Sequence, residues 1–299
     1  MSARKKVLVI GASGQLGGLC LEGFKKSGHE VWGTAFSQSL DSSVIRLDLS
    51  MKGAAREIVS KIRPDVCVLS GAMTNVDACE LDPERALAIN AVSAGDIAEE
   101  AGPGCRVVYL STEYIFDGEA GPYDEMSKPN PLSVYGKTKL EGERRVLAAS
   151  DKNLVIRTTV VYSYQAGGKN FVMQLSQKLR SGEEMHIPID QVSSPTYAPD
   201  LASCLEKLVA QEVSGIINVV GPNILGRRDF AVEAARIMGL NAGLIKGVLT
   251  SELNQKALRP LKAGLLTRKL LGLTQEAPRG IDPGIRAFIA AEALKKSER

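Results

Sequence analysis

The sequence predicts an α/β fold with a doubly wound parallel sheet, in which strands and helices alternate along the chain. Three observations indicate this fold. Short apolar runs rich in valine and isoleucine recur between helical patterns, the first run ends in a glycine-rich turn, and a pair of hydroxyl side chains ends a later run. Runs of four to six such residues are typical of strands buried on both faces of a parallel sheet.

The predicted strands and helices follow one another in a regular order. The strands are expected at residues 6–10, 30–36, 44–47, 66–70, 107–111, 154–158 and 216–220. The helices between them are expected at residues 16–27, 52–62, 84–101 and 139–149. From about residue 163 polar loops interrupt this alternation, which predicts a smaller region beside the sheet.

Composition narrows the class of protein. The chain has 299 residues, of which 44% are hydrophobic and 24% charged, as in ordinary soluble globular proteins. Its net charge is +3 and basic residues form no long run, so neither nucleic acid nor a membrane is an expected partner. Five scattered cysteines favour a reduced cytoplasm. With only two histidines, His29 and His186, a metal site is not expected.

The first predicted strand leads into a glycine-rich turn that also opens the first predicted helix. Glycine allows the tight turn and lets backbone N–H groups approach a pyrophosphate, which the helix N-terminus then faces. This context predicts dinucleotide binding. The residues expected to touch the dinucleotide are Gly11, Ser13, Gly14, Gln15, Leu16 and Gly17.

The end of the second predicted strand bears on which dinucleotide binds. NAD sites usually place an acid ~20 residues beyond the glycine turn, where it accepts the ribose 2′-OH. Residues 34–39 contain no acid, so NADPH is expected to bind at least as well as NADH, with Ser37 beside the ribose. Asp48 and Leu49 are expected near the adenine, and an acidic helix cap is the alternative interpretation of Asp48.

Tyr135 and Lys139 lie four residues apart in a helix-forming stretch after Pro129 and Pro131, and therefore share one helix face. A cation near a phenol lowers its pKa, and the tyrosine can then exchange a proton with a substrate hydroxyl or carbonyl. The alternative is a partly buried tyrosine beside a solvated lysine. Thr112, with Ser111, ends the fifth predicted strand, where ligands of such sheets bind.

Together these motifs resemble the extended branch of the short-chain dehydrogenase/reductase superfamily and, more closely, the dTDP-4-dehydrorhamnose reductase family. The resemblance runs through most of the chain. Its matching segments are GASGQLG at 11–17, SGAMTNVDACE at 70–80, INAV at 89–92, STEYIFDG at 111–118, PNPLSVYGKTKLEGE at 129–143, KNF at 169–171, DQVSSPTYAPDLA at 190–202 and RP at 259–260.

The resemblance implies a Rossmann fold and reduction of the 4-keto group of a nucleotide-linked 4-keto-6-deoxy sugar, as in the step from dTDP-4-dehydrorhamnose to dTDP-L-rhamnose in polysaccharide biosynthesis. It implies NADPH, or else NADH, as cofactor and a possible homodimer. Residues 1–162 would bind the dinucleotide, and 163–299 the nucleotide sugar, with a return strand near 216–220.

The resemblance also implies residue roles. Lys139 would bind the nicotinamide ribose and lower the Tyr135 pKa, Tyr135 would protonate the 4-keto oxygen, and Thr112 would hydrogen-bond that oxygen. Further residues implied to line the cofactor are Ser70, Gly71, Ala72 and Asn90. Those implied to contact substrate are Thr74, Thr112, Tyr135, Asn170, Gln191 and Arg259.

Several positions depart from the family pattern. Glu113 replaces an Asp, Ser193 replaces a Gly, and RTTVVYS lacks the usual tryptophan. The C-terminal motif reads RPLKAGLLTRKL, where Lys262 stands for the usual Asn. Arg259 is expected on the substrate diphosphate with Lys262 near it, and a solvated surface helix over 256–271 is the alternative.

These departures leave other functions open. One is another nucleotide-sugar reductase or an epimerase. Another is a non-catalytic NADP-binding regulatory subunit like the methionine adenosyltransferase beta subunit.

Overall fold

The computed structural model describes residues 3–36 and 43–297 of the chain. The predicted doubly wound α/β fold is confirmed. Seven parallel strands form one sheet in the order β11-β6-β5-β4-β1-β2-β3. These strands are β1 (Lys6–Ile10), β2 (Glu30–Ala35), β3 (Val44–Arg46), β4 (Val66–Leu69), β5 (Arg106–Thr112), β6 (Leu154–Thr158) and β11 (Gly215–Asn218).

Helices cover both faces of this sheet because alternate strand residues point to opposite sides. In β1, Val7 and Val9 belong to the apolar cluster under α1 (Gln15–Lys26) and α8 (Ala198–Ala210), whereas Leu8 and Ile10 face the other side. The helices on that second side are α2 (Ala54–Ile62), α5 (Ser93–Ala101) and α6 (Val134–Ala149).

Beyond the sheet, the C-terminal part has its own apolar cluster, which includes Tyr162, Phe230 and Phe288. Its helices are α7 (Phe171–Arg180), α9 (Arg227–Ile237), α10 (Arg268–Thr274) and α11 (Ile281–Ser297). Its short strands are β7 (Val161–Tyr162), β8 (Met185–Pro188), β9 (Val192–Ser193), β10 (Thr196–Tyr197), β12 (Leu225–Gly226) and β13 (Ile245–Val248). They pair two by two as β10–β7, β12–β9 and β13–β8.

The predicted helix over 84–101 is divided in the structure. After the short helix α3 (Val76–Leu81), α4 (Pro83–Leu87) runs into a π-helical turn (Ala88–Val92), and α5 follows. Turns of this kind often occur at functional sites. Asn90 lies within this turn and is 1% exposed.

The alternative of a surface helix over 256–271 is wrong. Residues 257–266 are irregular and packed against the body of the protein, with Ala263 and Leu265 both 2% exposed. The segment forms bridges from Leu265 to Tyr123 and from Lys262 to Val192. The buried side chains of Ala263 and Leu265 therefore anchor this segment to the protein, and helix α10 begins only at Arg268.

Among residues 3–36 and 43–297, no helix is long and apolar enough to cross a membrane. The five cysteines are free and buried.

Candidate active site

A cleft of about 950 Å³ opens at the C-terminal ends of β1, β2, β4, β5 and β6. Ligands of open parallel sheets bind at this edge. Most of the predicted site residues line the cleft. They are Gly11, Ser13, Gly14, Gln15, Leu16, Asp48, Leu49, Ser70, Gly71, Ala72, Thr74, Thr112, Tyr135, Lys139 and Gln191.

Five predicted residues are not in the cleft wall or cannot be placed there. Gly17, Asn90, Asn170 and Arg259 are absent from the lining. Ser37 lies outside the described residues.

At one end of the cleft the glycine turn joins β1 to α1. Gly11 has a φ of +84°, and a Cβ there would lie 2.6 Å from the backbone of Gly71. A Cβ at Gly17 would lie 2.2 Å from the Gly11 carbonyl oxygen. Gly17 therefore permits close packing of helix on turn, which explains why it is not in the cleft wall. The turn leaves the N-terminus of α1 facing the cleft, as a pyrophosphate site requires.

Asp48 lines the cleft, but it does not cap a helix. Its Oδ1 accepts hydrogen bonds from the Ser50 N–H (2.9 Å) and the Ser50 hydroxyl (2.6 Å), which lower the pKa of the carboxyl group. The N-cap residue of α2 is Gly53. The helix-cap interpretation is therefore wrong, and the side chain forms a local turn at the cleft wall.

Asn90 acts behind the cleft wall. Its Oδ1 accepts from the Met73 N–H (2.9 Å), and its Nδ2 donates to the Met73 carbonyl (3.1 Å) and the Thr138 hydroxyl (3.1 Å). Thr138 is on α6 and donates to the Tyr135 carbonyl (3.0 Å). Asn90 thus fixes the loop after β4 against the helix that carries Tyr135.

Tyr135 and Thr112 meet at the middle of the cleft. Thr112 ends β5, and Tyr135 lies in the first turn of α6, whose N-cap Ser133 accepts a hydrogen bond from the Gly136 N–H (3.2 Å). The Thr112 hydroxyl is close enough to the Tyr135 phenol to lower its pKa. This places two hydroxyl groups where one carbonyl oxygen of a ligand can contact both.

Two glycines allow α6 to approach the sheet so closely. A Cβ at Gly136 would lie 2.1 Å from the Tyr114 carbonyl oxygen, and one at Gly142 would lie 2.3 Å from the Tyr109 hydroxyl. Real Cβ atoms are not found at such distances. The position of Tyr135 and Lys139 over β5 therefore depends on both glycines.

Lys139 is 2% exposed, and burial lowers its pKa from 10.5 to about 7, an effect that Glu143 opposes. Its Nζ donates to the Leu110 carbonyl (2.5 Å) and lies 3.9 Å from the centroid of the Tyr109 ring. These contacts hold the ammonium on the cleft wall beside Tyr135.

The predicted lowering of the Tyr135 pKa does not appear. Burial raises it, and the nearby Thr112 hydroxyl offsets only part of that rise. The phenol therefore stays protonated at neutral pH.

Glu113 is a buried acid in the cleft wall. Its Oε1 accepts from the Thr159 hydroxyl (2.5 Å), and its Oε2 accepts from the Gly264 N–H (2.9 Å). Burial raises its pKa from 4.5 to about 7, although both hydrogen bonds and Arg227 act in the opposite direction. Glu113 thus joins the end of the sheet to the segment after Arg259.

The residues predicted to contact substrate separate into two groups. Thr74 and Gln191 line the cleft. Asn170 is the N-cap of α7, where its Oδ1 accepts from the Met173 N–H (3.1 Å), and Arg259 forms an ion pair with Asp77 (3.0 Å). Lys262 is exposed and outside the cleft lining, so it adds no cation to the cleft wall.

Residues that the motifs did not indicate complete the cleft. Phe171 and Arg227 line it, with the Arg227 guanidinium carbon 4.6 Å from the centroid of the Phe171 ring. One signal could have found Arg227: two arginines open α9, where the helix dipole disfavours cations.

Within the described ranges, the buried hydroxyls of Ser111 and Thr158 in this wall have no hydrogen-bond partner. They can bond to a bound ligand, so the cleft fits a dinucleotide.

The strand order, the glycine turn and the Tyr-Lys helix define a Rossmann-type short-chain dehydrogenase/reductase of the extended branch. Residues 5–293 match the family described as RmlD substrate binding domain, and the chain belongs to that family. The expected resemblance is thereby confirmed, and the chain is an NAD(P)-dependent oxidoreductase.

Relatives and solved structures agree with this assignment. The chain is 33% identical to the spore coat polysaccharide biosynthesis protein SpsK of Bacillus subtilis, over 97% of this chain and 96% of that protein. It is 34% identical to dTDP-4-dehydrorhamnose reductase of Salmonella typhimurium, over 82% of this chain and 89% of the enzyme.

The crystal structure of dTDP-4-dehydrorhamnose reductase from Bacillus anthracis in complex with NADP is similar, with a TM-score of 0.87 and 27% identity. That comparison covers 97% of this chain and all of the other. The chain is also 31% identical to methionine adenosyltransferase 2 subunit beta of Xenopus tropicalis, over 92% of this chain and 84% of that subunit.

Proposed function

We propose that this protein reduces the 4-keto group of a nucleotide-linked 4-keto-6-deoxy sugar, with dTDP-4-dehydrorhamnose as the first substrate to test. The observation that carries the proposal is the meeting of Thr112, Tyr135 and Lys139 in one cleft with the glycine turn. The named reductase relatives, and the NADP in the Bacillus anthracis structure, support this chemistry and NADPH as cofactor.

Thr112, Tyr135 and Lys139 have separate roles in this reaction. Thr112 and Tyr135 hold the keto oxygen between their hydroxyl groups, and Tyr135 Oη donates its proton to that oxygen. Bound NADPH would supply the hydride that the keto carbon accepts. Lys139 holds the nicotinamide ribose, and its positive charge stabilises the phenolate that forms when Tyr135 loses its proton.

The remaining wall supports these roles. The N-terminus of α1 and the turn from Gly11 to Gly17 would hold the cofactor pyrophosphate. Ser111 and Thr158 offer buried hydroxyls that have no partner in the described part of the chain.

The test is an activity panel with the purified protein. dTDP-, UDP- and GDP-linked 4-keto-6-deoxy sugars are each supplied with NADPH or NADH, and loss of the reduced-nicotinamide absorbance is followed. We expect turnover with a dTDP-linked sugar and NADPH at least as effective as NADH. Cofactor binding without oxidation by any of these sugars would reject the proposal.

A second candidate function follows from the similarity to methionine adenosyltransferase 2 subunit beta. The protein would then bind NADP and regulate a partner enzyme instead of reducing a sugar. A pull-down with a methionine adenosyltransferase catalytic subunit, beside the activity panel, separates the two. Stable capture of that subunit together with an inactive panel would favour the second candidate.

A further inference from the structure

Arg227 places a guanidinium in the cleft at a position outside the recognised motifs. It is the first residue of α9, and its backbone N–H donates to the Gln191 carbonyl (2.7 Å). Its guanidinium carbon lies 4.6 Å from the centroid of the Phe171 ring, which is also part of the cleft wall. The backbone hydrogen bond at the start of α9 and the stacking on Phe171 thus hold the Arg227 side chain in the cleft.

This guanidinium lacks a carboxylate partner among the described residues, where no ion pair within 4 Å involves it. Arg259, by contrast, is paired with Asp77 (3.0 Å). Glu113 is close enough to act electrostatically on Arg227, but its two oxygens already accept other hydrogen bonds. Arg227 therefore keeps its planar set of N–H donors for a ligand.

Holding a cation here is unfavourable without an anion. Burial lowers the Arg227 pKa and nearby Arg259 lowers it further, while Tyr114 and Glu113 act in the opposite direction. The positive end of the α9 dipole adds to the cost. A negatively charged ligand group would offset all three effects.

The position along the cleft indicates which ligand supplies that group. Arg227 is near Tyr114, whose ring packs edge-on against Tyr135 with centroids 5.5 Å apart. The backbone N–H of Arg227 bonds to Gln191, one of the residues expected to contact the substrate, and Arg259 is among the charges that act on Arg227. The anion near Arg227 therefore belongs to the substrate.

On the basis of the proposed function, we propose that Arg227 binds the oxyanions of the nucleotide-sugar substrate through paired N–H···O hydrogen bonds. A guanidinium matches the geometry of a phosphate or a carboxylate. In a nucleotide-linked 4-keto-6-deoxy sugar these oxyanions belong to the diphosphate, because the sugar carries a methyl group at C6. The structure thereby assigns to Arg227 the phosphate-binding role that the motifs assign to Arg259.

The experiment is calorimetric titration of the NADP⁺-saturated protein with four probes: dTDP, thymidine, UDP-glucose and UDP-glucuronate. Arg227→Gln removes the charge. Arg228→Gln is the matched control, because Arg228 is the next residue of α9 and is not part of the cleft lining. Affinity for NADP⁺ itself is measured for every variant.

For the diphosphate, we expect wild-type protein to bind dTDP more tightly than thymidine, and Arg227→Gln to weaken dTDP binding at least tenfold. Thymidine and NADP⁺ affinities should stay unchanged, and Arg228→Gln should match wild type. Arg227→Gln should weaken the binding of UDP-glucose and UDP-glucuronate to a similar extent, because both ligands carry the diphosphate.

The inference is overturned if Arg227→Gln keeps the dTDP affinity within twofold of wild type, or if wild type binds none of the probes. If Arg227→Gln does not fold, Arg227→Lys carries the test. Lys keeps the charge but not the paired geometry, and a dTDP affinity equal to wild type would again overturn the inference. Absence of any turnover on keto sugars rejects the proposed function alone, because these titrations require no reaction.

Discussion

Burial has opposite effects on the pKa values of Tyr135 and Lys139. It raises the pKa of the Tyr135 phenol and lowers the pKa of the Lys139 ammonium to about 7. Both side chains thus tend toward their neutral forms in the cleft. An anionic cofactor beside Lys139 would favour its charged form, which would in turn favour proton release from Tyr135.

Replacement of Tyr135 by Phe is expected to lower kcat by roughly 10²–10⁴, because it removes the proton donor. Cofactor affinity should be nearly unchanged, since the ring keeps its space against Tyr114. Stopped-flow turnover and a cofactor titration measure the two effects. A Tyr135→Phe enzyme with more than a tenth of wild-type activity would mean that another group donates the proton, and Tyr114→Phe serves as control.

The lowered pKa of Lys139 predicts that cofactor binding depends on pH. Its folded pKa of about 7 lies below its usual 10.5, so the ammonium is charged below pH 7 and becomes neutral above it. NADH affinity should therefore fall as pH rises through about 7. NADH is the probe because it lacks the 2′-phosphate, which itself titrates near pH ~6.

Fluorescence titration of NADH from pH 6 to pH 9 would measure this dependence. Lys139→Met, which keeps the length of the side chain without its charge, should bind NADH weakly and equally at every pH. An identical pH profile for wild type and Lys139→Met would assign the titration to another group.

At the scale of elements, a buried ion pair joins α6 to β6. Arg157 donates to both carboxylate oxygens of Glu143 at 3.0 and 2.8 Å, and both side chains are at most 3% exposed. Glu143 lies one turn beyond Lys139 and favours its charged form. The pair thus supports the helix that carries both catalytic residues.

Glu143→Gln should lower the free energy of unfolding by about 3–5 kcal/mol, because it leaves the Arg157 charge buried and unpaired. The double variant Glu143→Gln/Arg157→Met should recover most of that loss. Urea unfolding measures both. The control is Glu141→Gln on the same helix, whose pair with Arg145 is partly exposed and worth about 0–1 kcal/mol. Equal effects of Glu141→Gln and Glu143→Gln would argue against the buried pair as the cause.

Strands and helices with a clear hydrophobic pattern were predictable from the sequence, and other elements were not. Strands such as β1 and β6 agree with the predicted runs because burial on both faces demands continuous apolar residues. The π turn at Ala88–Val92 was missed, since its residues also suit an α-helix and only the tertiary bonds of Asn90 select it. The helical pattern predicted over 139–149 begins too late, whereas the placement of Tyr135 on a helix is confirmed, because α6 begins at Val134 after its N-cap Ser133.

At the scale of the whole molecule, residues 257–266 connect the C-terminal part to the sheet. Leu265 is bridged to Tyr123, and the Gly264 N–H donates to Glu113. Glu113 lies beside Thr112 at the end of β5, so this connection meets the sheet at the active-site cleft.

Glu113 should make stability depend on pH. Its folded pKa of about 7 is above its usual 4.5, so its contribution is complete below pH 4.5 and is lost as pH rises through about 7. With a rise from 4.5 to about 7 and ~1.4 kcal/mol per pKa unit, the change is about 3 kcal/mol. Urea unfolding at pH 4.5 and 7.5 should show this loss in wild type and not in Glu113→Gln. The exposed Glu119→Gln should behave as wild type, and a wild-type slope in Glu113→Gln would exclude Glu113 as the titrating group.

The sequence predicted the cofactor half of the cleft better than the substrate half. The glycine turn and the Tyr-Lys pair are short motifs within single strand-to-helix units, so local pattern locates them. Arg227 and Phe171 come together only through packing of α7 and α9, which no short motif encodes. For the same reason Arg259, although within a motif, could not be recognised as the partner of Asp77, 182 positions away.

The two glycines under α6 have a consequence for protein engineering. Gly136 and Gly142 are adjacent to no proposed ligand atom, yet any side chain there would collide with the backbone at Tyr114 or with Tyr109. A randomised library selected for turnover would lose variants at these positions as completely as at Tyr135. Efforts to alter substrate choice are therefore better directed at the surfaces supplied by α7 and α9, which can vary without displacing the helix that performs the proton transfer.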